Sequence, residues 1–231
     1  MIVVISGATG GIGAEVVKKF ASKGYSIVLL GRDLEKLSNL SYFIGKNYKV
    51  NVWHYLCNIM DKDSVDLCIE NINKIEEKIN LLINIAGVFP YGPIMDVNMG
   101  TYNDCLDVNL KLPFMLSTGL FDSLKKNGGG KIINIGSSSS YAGFKNTVIY
   151  CASKHAILGF SRALHDEWKD YGVTVHCISP GTVDTDMANI LAQDRSTYIK
   201  TEEFSELVYD INRYSGNMLI EEVRAIRRNI K

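Results

Sequence analysis

The sequence predicts an α/β protein, a doubly wound sheet of seven parallel strands with helices on both faces. Short runs rich in β-branched residues alternate with longer helical patterns along the whole chain, which is typical of such a sheet. A glycine-rich turn follows the first run and opens a helix. The chain has 231 residues, of which 46% are hydrophobic, so a single domain over 1–231 can bury a sizeable core.

The predicted elements follow one another in a regular order. Strands are predicted at 2–6, 26–31, 49–56, 80–85, 131–136, 173–179 and 218–225, from apolar runs bounded by turn residues. Helices are predicted between them at 12–23, 33–45, 61–77, 99–126, 149–171 and 202–213. The glycines at 128–130 follow a helix that ends in lysines, so they indicate a turn rather than a linker. The polar segment 187–200 is predicted to be a short mobile loop beside the substrate.

Composition and charge indicate a small-molecule ligand. Lys plus Arg and Asp plus Glu number 25 each, so the chain offers no overall attraction to nucleic acid or an anionic membrane. Five dispersed cysteines without a CxxC pair argue against disulfides and a zinc site, and no metal is expected. No apolar run approaches the ~20 residues of a membrane span, and the N-terminal apolar run is too short for a signal sequence. We therefore expect a cytoplasmic protein that binds neither nucleic acid nor membranes.

Residues 2–13, IVVISGATGGIG, combine an apolar strand, a glycine-rich turn and the start of a helix. Such a turn brings backbone N–H groups and a helix N-terminus to a pyrophosphate, and side chains would block that approach. The glycines fit two spacings, Gly7-x-x-x-Gly11-x-Gly13 and Gly7-x-x-Gly10-x-x-Gly13. This segment therefore predicts a dinucleotide site.

Arg32 follows the second predicted strand, where dinucleotide sites select between NAD and NADP. An acid at this place binds the ribose hydroxyls of NAD, whereas an arginine can pair with the 2′-phosphate of NADP. The strand ends in Gly31 rather than an acid and Arg32 comes next, so NADP(H) is favoured over NAD(H). The alternative is a solvated arginine at the start of a helix, with Asp33 as an N-cap or a late ribose contact.

The pattern tyrosine, three residues, lysine occurs twice, as Tyr141 with Lys145 and as Tyr150 with Lys154. Reduction of a carbonyl needs an acid within hydrogen-bond reach of the oxygen, and a nearby ammonium is expected to lower the tyrosine pKa for that task. Tyr150 and Lys154 begin a continuous helical pattern that places them on one face, whereas the first pair contains a glycine and follows a serine run. Tyr150 is therefore the predicted acid/base.

Together these segments resemble the single-domain branch of the short-chain dehydrogenase/reductase family. The resemblance is carried by the first glycine spacing, by LLINIAG at 81–87, DVNL at 107–110, YCASK at 150–154 and SPGTVDT at 179–185. The second glycine spacing resembles the family's longer, two-part branch, for which this chain is too short. The resemblance implies a Rossmann-type sheet in the order 3-2-1-4-5-6-7 and a homodimer or homotetramer.

The resemblance also implies roles for individual residues. Ser137 lies thirteen residues before Tyr150, as in the family, and would hold the substrate oxygen, with Ser138 as the alternative. Lys154 would bind the nicotinamide ribose, and Asn109 would perturb its helix and place a relay water. The cofactor contacts expected from the matching positions are Gly7, Thr9, Gly11, Ile12, Gly13, Arg32, Asn58, Asn84, Ala86, Gly87, Tyr150, Lys154, Pro180, Gly181, Val183 and Thr185.

The predicted function is the reversible, NADP(H)-dependent reduction of a ketone or aldehyde to an alcohol. Aromatic and apolar residues near the predicted strand ends suggest an apolar or flat substrate, and Tyr141, Phe144 and Met187 are assigned to its side of the pocket. Two alternatives stay open: a dinucleotide-binding sensor without turnover, and a reductase of carrier-bound 3-oxoacyl groups.

Overall fold

The computed structural model of the protein describes residues 1–126, 128–191, 193–214 and 218–228. The strands are β1 Ile2–Ser6, β2 Ser26–Gly31, β3 Val52–Leu56, β4 Ile79–Asn84, β5 Lys131–Ile135, β6 Thr174–Pro180 and β7 Glu222–Ala225. The α-helices are α1 Gly11–Ser22, α2 Leu34–Tyr48, α3 Lys62–Asn73, α4 Met99–Leu106, α5 Leu112–Gly119, α6 Phe121–Lys125, α7 Val148–Trp168 and α8 Thr201–Arg213. A π-helical turn, Asp107–Lys111, joins α4 to α5.

The strands form one parallel sheet in the order β3-β2-β1-β4-β5-β6-β7. This order confirms the predicted fold class. The chain reverses its direction across the sheet between β1 and β4, so the carboxyl ends of these two strands flank the crevice where open α/β sheets bind ligands.

Strand β1 shows why helices must cover both faces of the sheet. Successive side chains of a strand point to opposite faces, so an uninterrupted apolar strand needs two apolar layers. Val3 and Ile5 pack with Phe20 of α1 in one buried layer. Ile2 and Val4 pack in the other layer, to which α3, α5 and α7 contribute.

Three predicted elements differ in their bounds from the observed ones. The third strand begins at Val52 rather than 49, because Lys49 ends α2 in the left-handed conformation with φ 54°. The single helix predicted at 99–126 is interrupted by the π-helical turn and again at Leu120. The last strand covers only Glu222–Ala225 of the predicted 218–225; Asn127, within the predicted turn, lies outside the described residues.

The predicted loop 187–200 is held against the end of β6. It contains two short 3-10 turns, Asp186–Leu191 and Arg195–Thr197. Arg195 and Lys200 both pair with Asp184, and Val183 forms a parallel bridge with Ile199. These contacts place the segment beside the carboxyl edge of the sheet.

The cysteines are all free and buried, as their spacing predicts. A hydrogen bond with Cys57, followed by burial, raises the pKa of the Cys68 thiol, so the Cys68 thiol stays neutral. Among the described residues, no helix is both long enough and apolar enough to cross a bilayer.

Candidate active site

A cavity of about 550 Å³ opens at the carboxyl edge of the sheet. Its walls come from the chain that follows β4, β5, β6 and β7 and from the first turns of α7. Parallel strands bring their carboxyl ends to one edge, so residues far apart in sequence meet there. Lining residues include Gly87, Ser137, Tyr150, Lys154 and Thr185.

Close packing requires the glycines of the first turn. Gly7 has φ 67°, and a Cβ on it would lie 2.7 Å from the backbone nitrogen of Ala86. A Cβ on Gly13 would lie 2.1 Å from the Gly7 carbonyl oxygen. Thus the turn, the end of β4 and the start of α1 fit together only without side chains at these positions.

The N-terminus of α1 is suited to bind a phosphate. Gly10 precedes the helix and provides no side-chain cap, so no side chain competes for the N–H groups of the first turn. Gly11 lies against Thr185, since a Cβ there would be 2.9 Å from the Thr185 Cγ2 atom. Ile12 lines the cavity. The glycine cradle and open helix end therefore fit a dinucleotide.

The end of β2 presents Arg32 to solvent. Asp33 caps α2, and its carboxylate accepts a hydrogen bond from the Lys36 backbone nitrogen at 3.0 Å. This bond lowers the Asp33 pKa. The Thr9 hydroxyl is close to the end of β2, because a Cβ on Gly31 would lie 3.6 Å from it. Of the two readings of Asp33, the structure therefore supports the N-cap.

Asn58 follows β3 and belongs to a local turn. Its Oδ1 atom accepts a hydrogen bond from the Met60 backbone nitrogen at 3.3 Å, and its backbone nitrogen donates to the Ser64 hydroxyl at 3.2 Å. A carbonyl oxygen has two acceptor sites, so Oδ1 can still accept a bond from an adenine amino group.

The cofactor contact at Asn84 stays a prediction, and the structure shows that the Asn84 side chain has a partner within the sheet. Asn84 is buried in the sheet, where its Nδ2 donates to the Asn134 Oδ1 at 2.8 Å on the neighbouring strand. Asn134 in turn donates to the Ser161 hydroxyl of α7 at 2.9 Å. Asn84 thus joins β4, β5 and α7, while Gly87, three residues on, reaches the cavity.

Ser137, Tyr150 and Lys154 meet at the base of the cavity. Ser137 begins the 3-10 turn after β5, and its Oγ accepts a hydrogen bond from the Ser139 backbone nitrogen at 3.1 Å. This leaves the hydroxyl hydrogen of Ser137 available, and the Ser137 side chain is close enough to Tyr150 to act on its pKa. The Lys154 ammonium lies 5.7 Å from the centre of the Tyr150 ring.

The expected lowering of the Tyr150 pKa by Lys154 is absent from this ligand-free protein. Burial raises the pKa of Tyr150 to about 12, and the hydrogen bond with Ser137 opposes this shift. Burial also lowers the pKa of Lys154 to about 8. The ammonium donates to the Ile135 carbonyl at 2.9 Å rather than to the tyrosine. Desolvation of both groups therefore outweighs their attraction here.

Replacement of Lys154 by Met is expected to stabilise the ligand-free protein. The ordinary lysine pKa of 10.5 falls to about 8 on folding, so the unfolded chain binds more protons between these pH values. Below pH 8 the buried ammonium carries its full cost, and Lys154→Met should raise the free energy of unfolding at pH 7 by on the order of 1 to 2 kcal/mol. The gain should shrink as pH rises to 10.5. Urea unfolding across this range measures it.

The control for this substitution is Lys46→Met, which removes an exposed lysine of α2 and should change the stability little at any of these pH values. A Lys154→Met protein that is less stable than the parent at pH 7 would contradict the cost assigned to the buried ammonium.

Asn109 lies at the centre of the π-helical turn and is buried. Its Oδ1 accepts a hydrogen bond from the Val88 backbone nitrogen at 2.8 Å, and its Nδ2 donates to the Val88 carbonyl at 3.0 Å. The Nδ2 atom also contacts the Ser153 hydroxyl at 2.9 Å. The side chain thus fixes the chain after β4 against α7, next to Lys154.

The chain after β6 closes the cavity opposite α7. Gly181 donates its backbone N–H to the Ala225 carbonyl at 2.6 Å, and Pro180, Gly181, Val183 and Thr185 all line the cavity. The Thr185 hydroxyl lies 3.5 Å from the Val183 carbonyl, a long contact that leaves it available to a ligand.

Three residues, Tyr141, Phe144 and Met187, were predicted to lie on the substrate side of the cavity. Phe144 and Met187 line the cavity, together with Phe89, whose ring meets Tyr150 edge-on at 4.6 Å between centres. Tyr141 is not among the described residues that line it, so its place on the substrate side stays a prediction.

Tyr141 instead points to the last strand. Its hydroxyl donates to Glu222 at 2.9 Å, and Glu222 also pairs with Arg162 of α7. Burial, followed by the Glu222 carboxylate, raises the pKa of Tyr141 to about 12. The guanidinium of Arg224 lies 4.4 Å from its ring centre. Tyr141 directly follows the serine turn Ser138–Ser140, and the sequence pattern did not indicate its bond with Glu222.

Two cations at the cavity were not predicted to lie there. Lys145 and Arg227 both line it. Arg227 follows β7 by two residues, so its position just after a strand end was a usable signal. Within the described part of the chain, no cluster of His, Cys, Asp and Glu side chains could hold a metal ion.

The sheet order and the glycine turn define a Rossmann-like α/β fold, and comparison with known proteins gives its family. Residues 1–196 match the family model described as short chain dehydrogenase, and the chain belongs to that family. It is an oxidoreductase-family protein with a Rossmann-like sheet.

Among curated relatives, a 3-oxoacyl-(acyl-carrier-protein) reductase of Haemophilus influenzae is 30% identical over 198 residues, which cover 86% of this chain and 80% of the relative. An uncharacterized oxidoreductase of Thermotoga maritima is 30% identical over 193 residues, 83% of this chain and 76% of the relative.

Solved structures of low sequence identity share the fold. An alcohol dehydrogenase of Thermococcus sibiricus, complexed with 5-hydroxy-NADP, has a TM-score of 0.89 at 22% identity and covers 96% of this chain and 94% of its own. The L-sorbose reductase of Gluconobacter frateurii, complexed with NADPH and L-sorbose, has a TM-score of 0.89 at 22% identity, with 97% and 94% covered.

Proposed function

We propose that the protein is an NADP(H)-dependent oxidoreductase that reversibly reduces a ketone or aldehyde to an alcohol. The observation that carries the proposal is the meeting of Ser137, Tyr150 and Lys154 in one cavity that also receives the glycine turn's Ile12 and the β6 loop. An acid, a hydroxyl donor and a cation beside a dinucleotide cradle suit hydride transfer better than hydrolysis or metal chemistry.

A bound NADPH would supply the hydride to the carbonyl carbon. Tyr150 would then give its phenolic proton to the carbonyl oxygen, and Ser137 would donate a hydrogen bond to the same oxygen. Lys154 would hold the nicotinamide ribose and Asn109 would keep the chain at Gly87 in place beside it, next to a relay water. The proposed cofactor site is completed by residues of the glycine turn, of the end of β6 and of the chain after β2, β3, β4 and β6: Gly7, Thr9, Gly11, Gly13, Arg32, Asn58, Ala86, Pro180, Gly181, Val183 and Thr185. In the oxidation direction Tyr150 takes the alcohol proton.

The direct test is a panel of ketones and aldehydes followed by the absorbance of NADPH and repeated with NADH. Reduction of at least one carbonyl with NADPH is the expected result. If NADPH binds to the protein but no member of the panel is reduced, a dinucleotide-binding sensor without turnover replaces this proposal.

Arg32 is proposed to favour NADP(H) over NAD(H), because its guanidinium would bind the 2′-phosphate of NADP(H). The side chain is exposed at the end of β2 and makes no ion pair with any described residue. Arg32→Ala should lower kcat/KM for NADPH by about tenfold or more, because a charge-assisted hydrogen bond is lost, and should change kcat/KM for NADH little. Initial rates with both cofactors measure the ratio.

Lys46→Ala provides the matched control for cofactor selection, since it removes a cation from the far end of the same helix α2. If Arg32→Ala lowers kcat/KM equally with NADPH and with NADH, Arg32 does not recognise the 2′-phosphate.

The relative from Haemophilus influenzae named above favours a second candidate, the reduction of 3-oxoacyl groups on a carrier protein. A 3-oxoacyl thioester should then be reduced faster when attached to an acyl carrier protein than as a small thioester. Equal rates with both would remove this candidate and leave the general carbonyl reductase.

We also propose a cytoplasmic homodimer or homotetramer. The supporting surface is a shallow apolar groove between the π-helical turn and α7, lined by Leu110, Phe114, Ala156 and Phe160. Exposed apolar grooves of this kind are common at contacts between subunits.

A further inference from the structure

The cavity carries positive charge that carbonyl reduction does not require. Besides Lys154, it is lined by Lys145, from the loop before α7, and by Arg227, which follows β7. No aspartate or glutamate is found among the described residues that line it. A chain with a formal charge of zero thus concentrates cations at one opening, which favours an anion there.

Neutral groups orient Arg227 without cancelling its charge. Its guanidinium donates to the Gln193 Oε1 at 3.3 Å and to the Thr197 hydroxyl at 3.4 Å, both long hydrogen bonds. It also lies 5.7 Å from the ring centre of Tyr198. The Arg227 backbone packs against Gly181, because a Cβ on that glycine would be 3.4 Å from the Arg227 nitrogen. Arg227 is therefore held beside the β6 loop with its charge available.

Two carboxylates that lie close in sequence to lining residues, Asp184 and Glu222, are engaged elsewhere. Asp184 pairs with Arg195 and Lys200, which lower its pKa. Glu222 pairs with Arg162, which lowers its pKa as well. Within the described residues, neither Lys145 nor Arg227 forms an ion pair with either acid. The two cavity cations thus lack an anionic partner from the described chain.

The remaining wall of the cavity is apolar. Phe89, Phe144 and Leu191 line it, so a ligand meets both apolar surface and a guanidinium. We propose that the carbonyl substrate carries an anionic oxygen group, a carboxylate or a phosphate, which Arg227 binds with Lys145 as a second cation. The planar guanidinium can form two parallel hydrogen bonds to either group. This inference rests on the proposed carbonyl reduction and names the substrate class for the same site.

Matched pairs of ketones test the inference. Levulinate is compared with methyl levulinate, and dihydroxyacetone phosphate with dihydroxyacetone, at saturating NADPH. For at least one pair, kcat/KM of the anion should exceed that of the neutral partner by about tenfold or more. Arg227→Gln should lower this ratio by a similar factor, mainly through KM. The pair that responds distinguishes a carboxylate from a phosphate site.

Arg228→Gln is the matched control, because Arg228 is the exposed neighbour and does not line the cavity. It should leave the ratio as in the parent protein. As a second readout, pentanoate should inhibit the reduction of a neutral ketone more strongly than pentanol does, and Arg227→Gln should remove that difference.

Three results would overturn the inference in distinguishable ways. Equal use of charged and neutral ketones would refute the anion site while leaving carbonyl reduction intact. A higher KM for NADPH in Arg227→Gln, with an unchanged ratio, would assign the residue to the cofactor. Failure of the parent protein to reduce any carbonyl in the wider panel would refute the proposed function itself, and the substrate class with it.

Discussion

A Tyr150→Phe variant is expected to lose a factor of about 10² to 10⁴ in kcat while it binds NADPH as tightly as the parent protein. The substitution keeps the ring and its edge-on contact with Phe89, 4.6 Å between centres, and removes only the hydroxyl that would protonate the substrate oxygen. Initial rates with a carbonyl from the panel measure turnover, and titration of NADPH fluorescence measures cofactor binding.

The sequence itself supplies the control, since it contains a second tyrosine in the same pattern. Tyr141→Phe removes the hydrogen bond to Glu222 at the last strand and should change kcat by no more than a few-fold. Loss of turnover in Tyr141→Phe together with retention in Tyr150→Phe would reverse the assignment of the two tyrosines.

Gly13→Ala is expected to damage both folding and dinucleotide binding. The added Cβ would lie 2.1 Å from the Gly7 carbonyl oxygen and 2.9 Å from its carbonyl carbon, and both are backbone atoms that cannot rotate away. The backbone shift should lower the free energy of unfolding by about 3 kcal/mol and open the phosphate-binding turn. Urea unfolding and NADPH titration measure the two effects.

Gly45→Ala in α2 is the matched control, because no atom lies within 4 Å of the position of its Cβ. Alanine is the better helix former, so this variant should gain up to about 1 kcal/mol of stability. A Gly13→Ala protein as stable as the parent would show that the turn tolerates a side chain.

The sequence predicted the sheet because a parallel sheet leaves a strong periodic signal. Apolar strands such as Ile2–Ser6 and amphipathic helices such as α8 alternate at regular distances, and the strand order followed from the family resemblance. The late start of β3 could not be predicted in this way, because a left-handed lysine at 49 leaves no mark in hydrophobic periodicity.

The site was harder to predict where partners come from distant segments. Asn84 and Asn134 face each other only because β4 and β5 pair in one register, and neither residue alone indicates that bond. Tyr141 and Glu222 are similarly joined across the end of the sheet. The pKa of Lys154 depends on how deeply the ammonium is buried, and the spacing of residues along a helix does not predict that burial.

The π-helical turn at Asp107–Lys111 also changes what one long helix can contact. A single extra residue rotates the following helix by about 100° relative to the preceding one. Before the turn, α4 directs Cys105 toward Ser153 of α7; after it, α5 packs against α3, where Ile69 lies beside Gly119. The apolar stripe therefore changes its phase at Asn109, and the helices on either side of the turn have different neighbours. A one-residue shift in the period of the apolar residues along a predicted helix would therefore indicate a π-helical turn from the sequence alone.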